Sequence, residues 1–264
     1  MQVTYENVKF TLKLSRSIER HLLKLRIKKM IGRFIGKPYR PDSYLVYARK
    51  LLQKISNPIV VDIGANIGIT ALPLAKEFPN AQIYAVEPHP IPAACFIENA
   101  LSNQISNVHL TCSAIAPSQD LVRIYTCPSN SGGHRITGFT GRTDYVKPAT
   151  LDHITLKSLT LKELFLHFAI PHCHLLKIDV EGFEYQVLES LEDFLTPSKI
   201  KAVVAEYGPE GMRAAGRSAA DMVSLMLKKG FACQELGTGV KIQSTRDIPL
   251  VKDLHVTDFL FTAL

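Results

Sequence analysis

A chain of 264 residues, 46% of them hydrophobic, can bury one sizeable core but is too short for two comfortable α/β domains. Its five cysteines, Cys95, Cys112, Cys127, Cys173 and Cys233, contain no C-x-x-C pair, which argues against a disulfide framework or a cysteine zinc site and fits a reducing cytoplasm. The opening MQVTYENVKF lacks an apolar signal core, and no 18-residue apolar run or N-x-[ST] acceptor follows, so a cytoplasmic protein that neither is secreted nor spans a membrane is expected.

The net charge of +7 is gathered at one end: the first 40 residues hold eleven basic and two acidic side chains, which leaves the remainder slightly acidic. Leu23, Ile27, Met30, Ile31 and Phe34 recur at helical spacing beside Arg16, Arg20, Lys24 and Lys28, and Gly32 and Pro38 mark an end. Residues 1–50 are therefore expected to form a basic amphipathic helical extension on a domain of residues 51–264. Its charged face either is solvated while the apolar face packs on the domain, or meets an acidic substrate, a protein partner or, peripherally through residues 13–35, an anionic membrane. No nucleic acid is expected as partner, because aromatic residues for base stacking are not interleaved with the basic ones. Oligomeric state leaves no trace in the pattern.

From Pro58 onward, apolar runs of strand length recur at 59–63, 82–87, 107–112, 174–180, 200–206, 231–236 and 257–263. Helical patterns near 67–78, 90–102, 183–195 and 218–229 separate most of them. The alternation predicts a doubly wound, mostly parallel α/β sheet with ligands at the carboxyl ends of its strands. Residues 116–150, with CPSNSGGHRITGFTGR, fit this rhythm least and read as a long excursion over the site.

The first of these strands runs into Val60-Val61-Asp62-Ile63-Gly64-Ala65-Asn66-Ile67-Gly68. Gly64 permits a sharp turn close to a ligand, Asn66 can cap the following helix, and Gly68 lets that helix pack closely. The second strand ends in Glu87-Pro88, at the distance expected of an acid that accepts hydrogen bonds from both ribose hydroxyls. Together they indicate a nucleoside cofactor. A dinucleotide fingerprint would be G-x-G-x-x-G, whereas here the glycines fall as G-x-x-x-G behind Asp62. An acid beside the turn suits the cationic S-adenosyl-L-methionine better than a pyrophosphate.

These stretches, with ENALSN, TLDHI and LLKIDVEGFEYQVLES, resemble the FkbM family of class I S-adenosylmethionine-dependent methyltransferases over roughly residues 58–262. The resemblance implies a seven-stranded, Rossmann-like sheet closed by an antiparallel strand in TDFLFTAL, and O-methylation as the activity. It implies Asp62, Gly64, Ala65, Asn66 and Gly68 beside the cofactor and Glu87 on its ribose. By analogy with the fold, Ser113 and Ala114 flank the adenine. Pro73 departs from a regular first helix and is expected to bend it.

The stretch HLLKIDVEGFE, residues 174–184, alternates apolar and charged residues with the period of a strand, although a central parallel strand should be apolar on both faces. In this fold it is the fourth strand, and Lys177, Asp179 and Glu181 then face a reaction cavity. Asp179 is the leading candidate for base, Glu181 could bind an acceptor hydroxyl or act as base itself, and Lys177 could orient or neutralise a carboxylate. The structural alternative is that Lys177 pairs with Glu181, or that Glu181 caps the next helix. His134, in the excursion, is a further candidate base, and Glu206 could contact substrate. No metal site is expected: His172-Cys173-His174 lacks zinc spacing, and nothing requires an oxygen-bound ion at Asp179 and Glu181. The leading reading is a methyltransferase acting on a hydroxyl of a sugar, glycolipid or natural product. The alternatives are methylation of nucleic acid or protein, and a non-catalytic cofactor-binding protein.

Overall fold

The computed structural model describes residues 2–11, 42–126, 134, 136, 152–248 and 256–263. It begins with a hairpin, β1 (Gln2–Tyr5) and β2 (Val8–Thr11), that turns through Glu6 and Asn7, both with positive φ. Val3, Tyr5, Val8 and Phe10 all point from one face of the hairpin into the core, as a two-residue period requires. Burying a side chain such as Phe10 contributes about 1.5–3 kcal/mol. Asn99 and Asn103 lock the hairpin down, accepting from the Thr11 and Lys9 amides at 2.7 and 2.8 Å.

Helix α1 (Ser43–Leu52) starts where the Asp42 side chain accepts from the Tyr44 and Leu45 amides, and buries Tyr44, Leu45, Ala48 and Leu52 in that same core. The expected boundary at residues 50/51 falls inside this helix. The basic helix expected over 13–35 lies outside the described residues.

The chain then alternates β3 (Ile59–Ile63), α2 (Ala71–Glu77), β4 (Gln82–Val86), α3 (Pro90–Ser102) and β5 (Val108–Thr111). Strands β6 (Ala114–Ile115), β7 (Leu121–Tyr125) and β8 (His153–Leu159) form a separate three-stranded sheet in the order β6-β8-β7. Part of the stretch 116–150 read as irregular excursion is therefore sheet, namely β7, only five residues long. Helix α4 (Leu161–His167) carries a capping box of Thr160 and Glu163 and leads to β9 (Leu175–Ile178) and α5 (Glu184–Glu189). Next come β10 (Ala202–Tyr207), α6 (Pro209–Ala214), α7 (Ala219–Lys228), β11 (Phe231–Glu235), β12 (Lys241–Ile242) and β13 (Thr257–Ala263).

The main sheet has the order β12-β11-β13-β10-β9-β3-β4-β5. Strands β5, β4, β3, β9 and β10 run parallel, while β13 inserts antiparallel between β10 and β11. It thus holds eight strands among the described residues, one more than expected, the extra being the two-residue β12 at the edge. One core lies on each face: β1, β2, α1, α2 and α3 build the first, and α4, α5, α6 and α7 the second. Helix α2 begins four residues later than the expected start near 67. Pro73 is its third residue, where a backbone N–H has no intrahelical acceptor, so the helix need not bend to accommodate it. The helix expected over 183–195 breaks after Glu189 and resumes as one 3-10 turn at Glu192–Phe194, with Glu192 in the left-handed region. No helix among the described residues is long and apolar enough to cross a membrane.

Candidate functional site

At the carboxyl edge of β3, β4, β9 and β10 the chain encloses a cavity of about 370 Å³. This is where an open parallel sheet diverges and its loops turn to opposite faces. The walls come from Gly64, Ala65 and Asn66 after β3, Glu87 and Pro88 after β4, and Ser113 and Ala114 after β5. Lys177, Asp179 and Glu181 from β9 and its turn, Glu206 from β10, and His134 also line it. Most residues singled out in the sequence thus meet in one place.

Two do not reach the cavity. Asp62 is fully buried beneath the wall. One of its carboxylate oxygens accepts from the Thr70 hydroxyl at 2.7 Å, and the other lies 3.6 Å from Lys177 Nζ. It therefore holds two groups that do line the cavity. Gly68 has φ +90°, and a side chain there would strike Leu72, so it serves packing as its sequence position suggested.

At Gly64 the need for glycine is absolute: φ is +84°, and a Cβ would stand 1.8 Å from the Asp179 carbonyl oxygen. The turn after β3 and the end of β9 are packed backbone to backbone, which brings the two motifs together. Asn66 is not the cap the sequence suggested. It has φ +50°, Thr70 occupies the N-cap position of α2, and the Asn66 amide instead donates to Glu87 Oε2 at 2.9 Å. The other oxygen of Glu87 accepts from the His89 amide at 2.8 Å. Each carboxylate oxygen thus takes one backbone N–H and keeps acceptor capacity for a ligand. Burial raises the Glu87 pKa to about 7, against the lowering effect of these two bonds.

The end of β9 answers why a central strand carries charge. Leu176 and Ile178 are buried in the core of the second face, while Lys177 points to the cavity edge. Lys177 Nζ donates to Asp179 Oδ2 at 3.0 Å and sits 5.9 Å from the centre of the Tyr44 ring. Burial opposes its charge, but Asp179 and Asp62 more than compensate and hold it as an ammonium. Asp179, Glu181 and Glu206 each present an oxygen within 4.8 Å of the other two, a spacing that among the described residues would admit a shared proton or a cation. Burial, and then Asp179, Glu181 and Glu184, hold the Glu206 carboxyl well above the usual carboxylate range. Asp258, opposite Glu206 on β13, is pushed up to about 6 mainly by burial.

Three contributors escaped the sequence reading. Asp42 lines the cavity from the cap of α1; the Pro-Asp-Ser sequence at 41–43 is a start signal, masked by the reading of residues 1–50 as one basic extension. Thr70 lines it one turn beyond the glycines. Glu184, fully buried, accepts from the Val180 and Gly182 amides at 3.1 and 3.0 Å and so shapes the turn that presents Asp179 and Glu181. Within that turn Glu181 is left-handed, at φ +59°. Burial raises the Glu184 pKa to about 7. Its position in K-x-D-x-E-G-x-E was visible, but its inward direction was not.

The model of the methyltransferase FkbM domain matches residues 62–233. Methyltransferase sdnD of Sordaria araneosa is 29% identical over 198 residues, covering 67% of this chain and 74% of the relative. The 31-O-demethyl-FK506 methyltransferase FkbM of Streptomyces tacrolimicus is 30% identical over 181 residues, covering 61% and 69%. Among solved structures, a putative O-methyltransferase from Klebsiella pneumoniae superposes with a TM-score of 0.48 at 11% identity, covering 94% of this chain and 97% of the other. With Gly64, Glu87 and the K-x-D-x-E-G-x-E turn of residues 177–184 all inside the matched span, the chain belongs to the FkbM methyltransferase family.

Proposed function

We propose that this protein transfers the methyl group of S-adenosyl-L-methionine to a hydroxyl of an uncharged, polyhydroxylated acceptor: a sugar, a glycolipid or a natural product. The observation that carries the reading is the placement of Glu87 and the Asp179–Glu181–Glu206 group in one cavity. The residues suit the cofactor. Glu87 offers two oxygens to a ribose diol, the backbone at Gly64 and Ala65 leaves a close approach, and the acids Asp42, Glu87, Asp179 and Glu181 in the described wall suit a ligand bearing a sulfonium and an ammonium. Among the described residues these four acids face one ammonium, itself tied to Asp62 and Asp179, which disfavours an acceptor carrying phosphate, and with it nucleic acid.

When bound, S-adenosyl-L-methionine supplies an electrophilic methyl group. The chain's own part is to hold the acceptor oxygen in line and to take its proton. Asp179, oriented by Lys177, accepts that proton; Glu181 binds the neighbouring hydroxyl; Glu206, protonated at neutral pH, donates a hydrogen bond where a carboxylate would only accept. A relative whose name gives 31-O-demethyl-FK506 as substrate supports oxygen as the atom methylated. The setting is a cytoplasm, with residues 13–35 in peripheral contact with an anionic membrane.

Titration calorimetry should show S-adenosylhomocysteine binding, and a screen of sugar and glycolipid hydroxyls should show transfer of a labelled methyl group. Saturable NAD binding without S-adenosylhomocysteine binding would overturn the cofactor assignment. Methylation of phosphate-bearing acceptors alone would overturn the acceptor class.

A further inference from the structure

We infer that His134 is a cofactor-binding residue at the adenosine end of the cavity, and not the general base its place in a glycine-rich stretch suggested. The inference rests on the proposed S-adenosyl-L-methionine reading and adds to it a residue from outside the motifs shared with the family.

Three observations fix where His134 stands. It lines the cavity, and its ring stacks on that of His89, with centroids 4.3 Å apart and planes 17° from parallel. His89 belongs to the Glu87 end: its amide donates to Glu87 Oε1 at 2.8 Å, and its Nδ1 accepts from the Ile91 amide at 3.3 Å, which caps α3. His134 therefore sits with the carboxylate assigned to the ribose, and the stacking plane ties it to that side. Ile115, Ile124 and Ile136 also line the cavity.

The topology explains how a residue so far from the motifs arrives there. Strands β7 and β8 pair antiparallel from Leu121↔Lys157 to Tyr125↔His153, and the Thr126 amide and hydroxyl both bond to the Asp152 carbonyl, at 2.8 and 2.9 Å. Thr126 and Asp152 are thus held together, and Ile124 of β7 lines the cavity. Burial, and then His89, push the His134 pKa down to about 4, so the ring is neutral at physiological pH. A neutral imidazole adds a flat, uncharged face to the wall, of the kind on which an adenine stacks. It is a poor proton acceptor for the same reason that it is a good neutral contact.

The test compares two probes, S-adenosylhomocysteine and 5′-methylthioadenosine, which share the adenosine but differ in the amino-acid half. Calorimetric titration of His134→Ala should show both affinities falling by about tenfold or more, the loss expected of one aromatic contact. His134→Phe, which keeps the flat face, should recover part of the loss for both probes. The unfolding midpoint of the ligand-free protein should stay unchanged in both variants. Unchanged affinity in His134→Ala, or a loss for S-adenosylhomocysteine alone, would overturn the inference. If the wild type binds neither probe, the cofactor reading itself has failed, a result distinct from either.

Discussion

The two ends of the cavity use the same kind of side chain in opposite ways. At the end of β4, Glu87 meets only backbone amides, one from Asn66 and one from His89, and its raised pKa comes mainly from burial. At the ends of β9 and β10, Asp179, Glu181 and Glu206 crowd one another with Lys177 as the sole ammonium in the described wall, so burial and like charge act together on Glu206. A lone carboxylate with ordered donors is suited to holding a neutral diol reversibly. Crowded carboxylates are suited to passing a proton, because one of them always resists ionisation. The difference lies in the neighbours.

The contrast is broken most severely at the crowded end. Asp179→Asn should cut turnover on an identified acceptor by about 10²- to 10⁴-fold, the range of one positioned base, while S-adenosylhomocysteine affinity changes little. Steady-state kinetics beside calorimetry would separate the two, and full turnover in the Asp179→Asn, Glu181→Gln double variant would remove these carboxylates from the chemistry.

Glu87→Ala should act the other way, weakening S-adenosylhomocysteine by about 2 kcal/mol, or roughly 30-fold, through lost charge-assisted bonds. Since Glu87 titrates near 7, wild-type affinity should climb as pH rises through that value, and Glu87→Gln should flatten the climb. A flat wild-type profile would mean that ionised Glu87 is not what the ribose meets.

A smaller effect is expected of Glu184, which braces the turn between the ends. Glu184→Ala leaves the Val180 and Gly182 amides without their acceptor and should cost about 1–3 kcal/mol of stability, whereas Glu184→Gln keeps an acceptor oxygen and should cost less. The sign of the pH dependence follows from the direction of the shift. Glu87 and Glu184 both titrate near 7, above the unfolded value of 4.5. The stability they contribute is full below 4.5 and is lost as pH rises through about 7. Denaturant titrations of the wild type and Glu184→Gln across that window would show a steeper decline in the wild type.

The least effect on either end is expected from removing residues 13–35. S-adenosylhomocysteine affinity should hold, while sedimentation with anionic liposomes, which salt should weaken in the wild type, disappears. Intact sedimentation after the deletion would free the basic stretch of that role.

Much of this was legible because buried strands advertise themselves. Strands β3 and β13 match their expected bounds residue for residue, since buried runs such as Ile59–Ile63 leave little alternative. Gly64, Glu87 and Lys177 were legible as types at strand ends. Directions were not. That Asp62 lies under the wall, that Asn66 donates its amide instead of capping α2, and that Glu184 turns inward all depend on neighbours remote in sequence. The β1–β2 hairpin was missed because each strand has four residues and its partners, Asn99 and Asn103, lie some 90 positions away.

That hairpin has a geometric consequence for the basic stretch. Thr11 is pinned to Asn99, and Asp42, which caps α1, also lines the cavity, so residues 12–41 join two points of the described fold. A free tail of that length could wander by its whole contour, but a doubly fastened one reaches only half as far, about 50 Å at full extension. Any surface gripped by residues 13–35 is thereby kept within that radius of the cavity, and an acceptor anchored in such a surface would have its hydroxyl searched for in a hemisphere and not in the bulk.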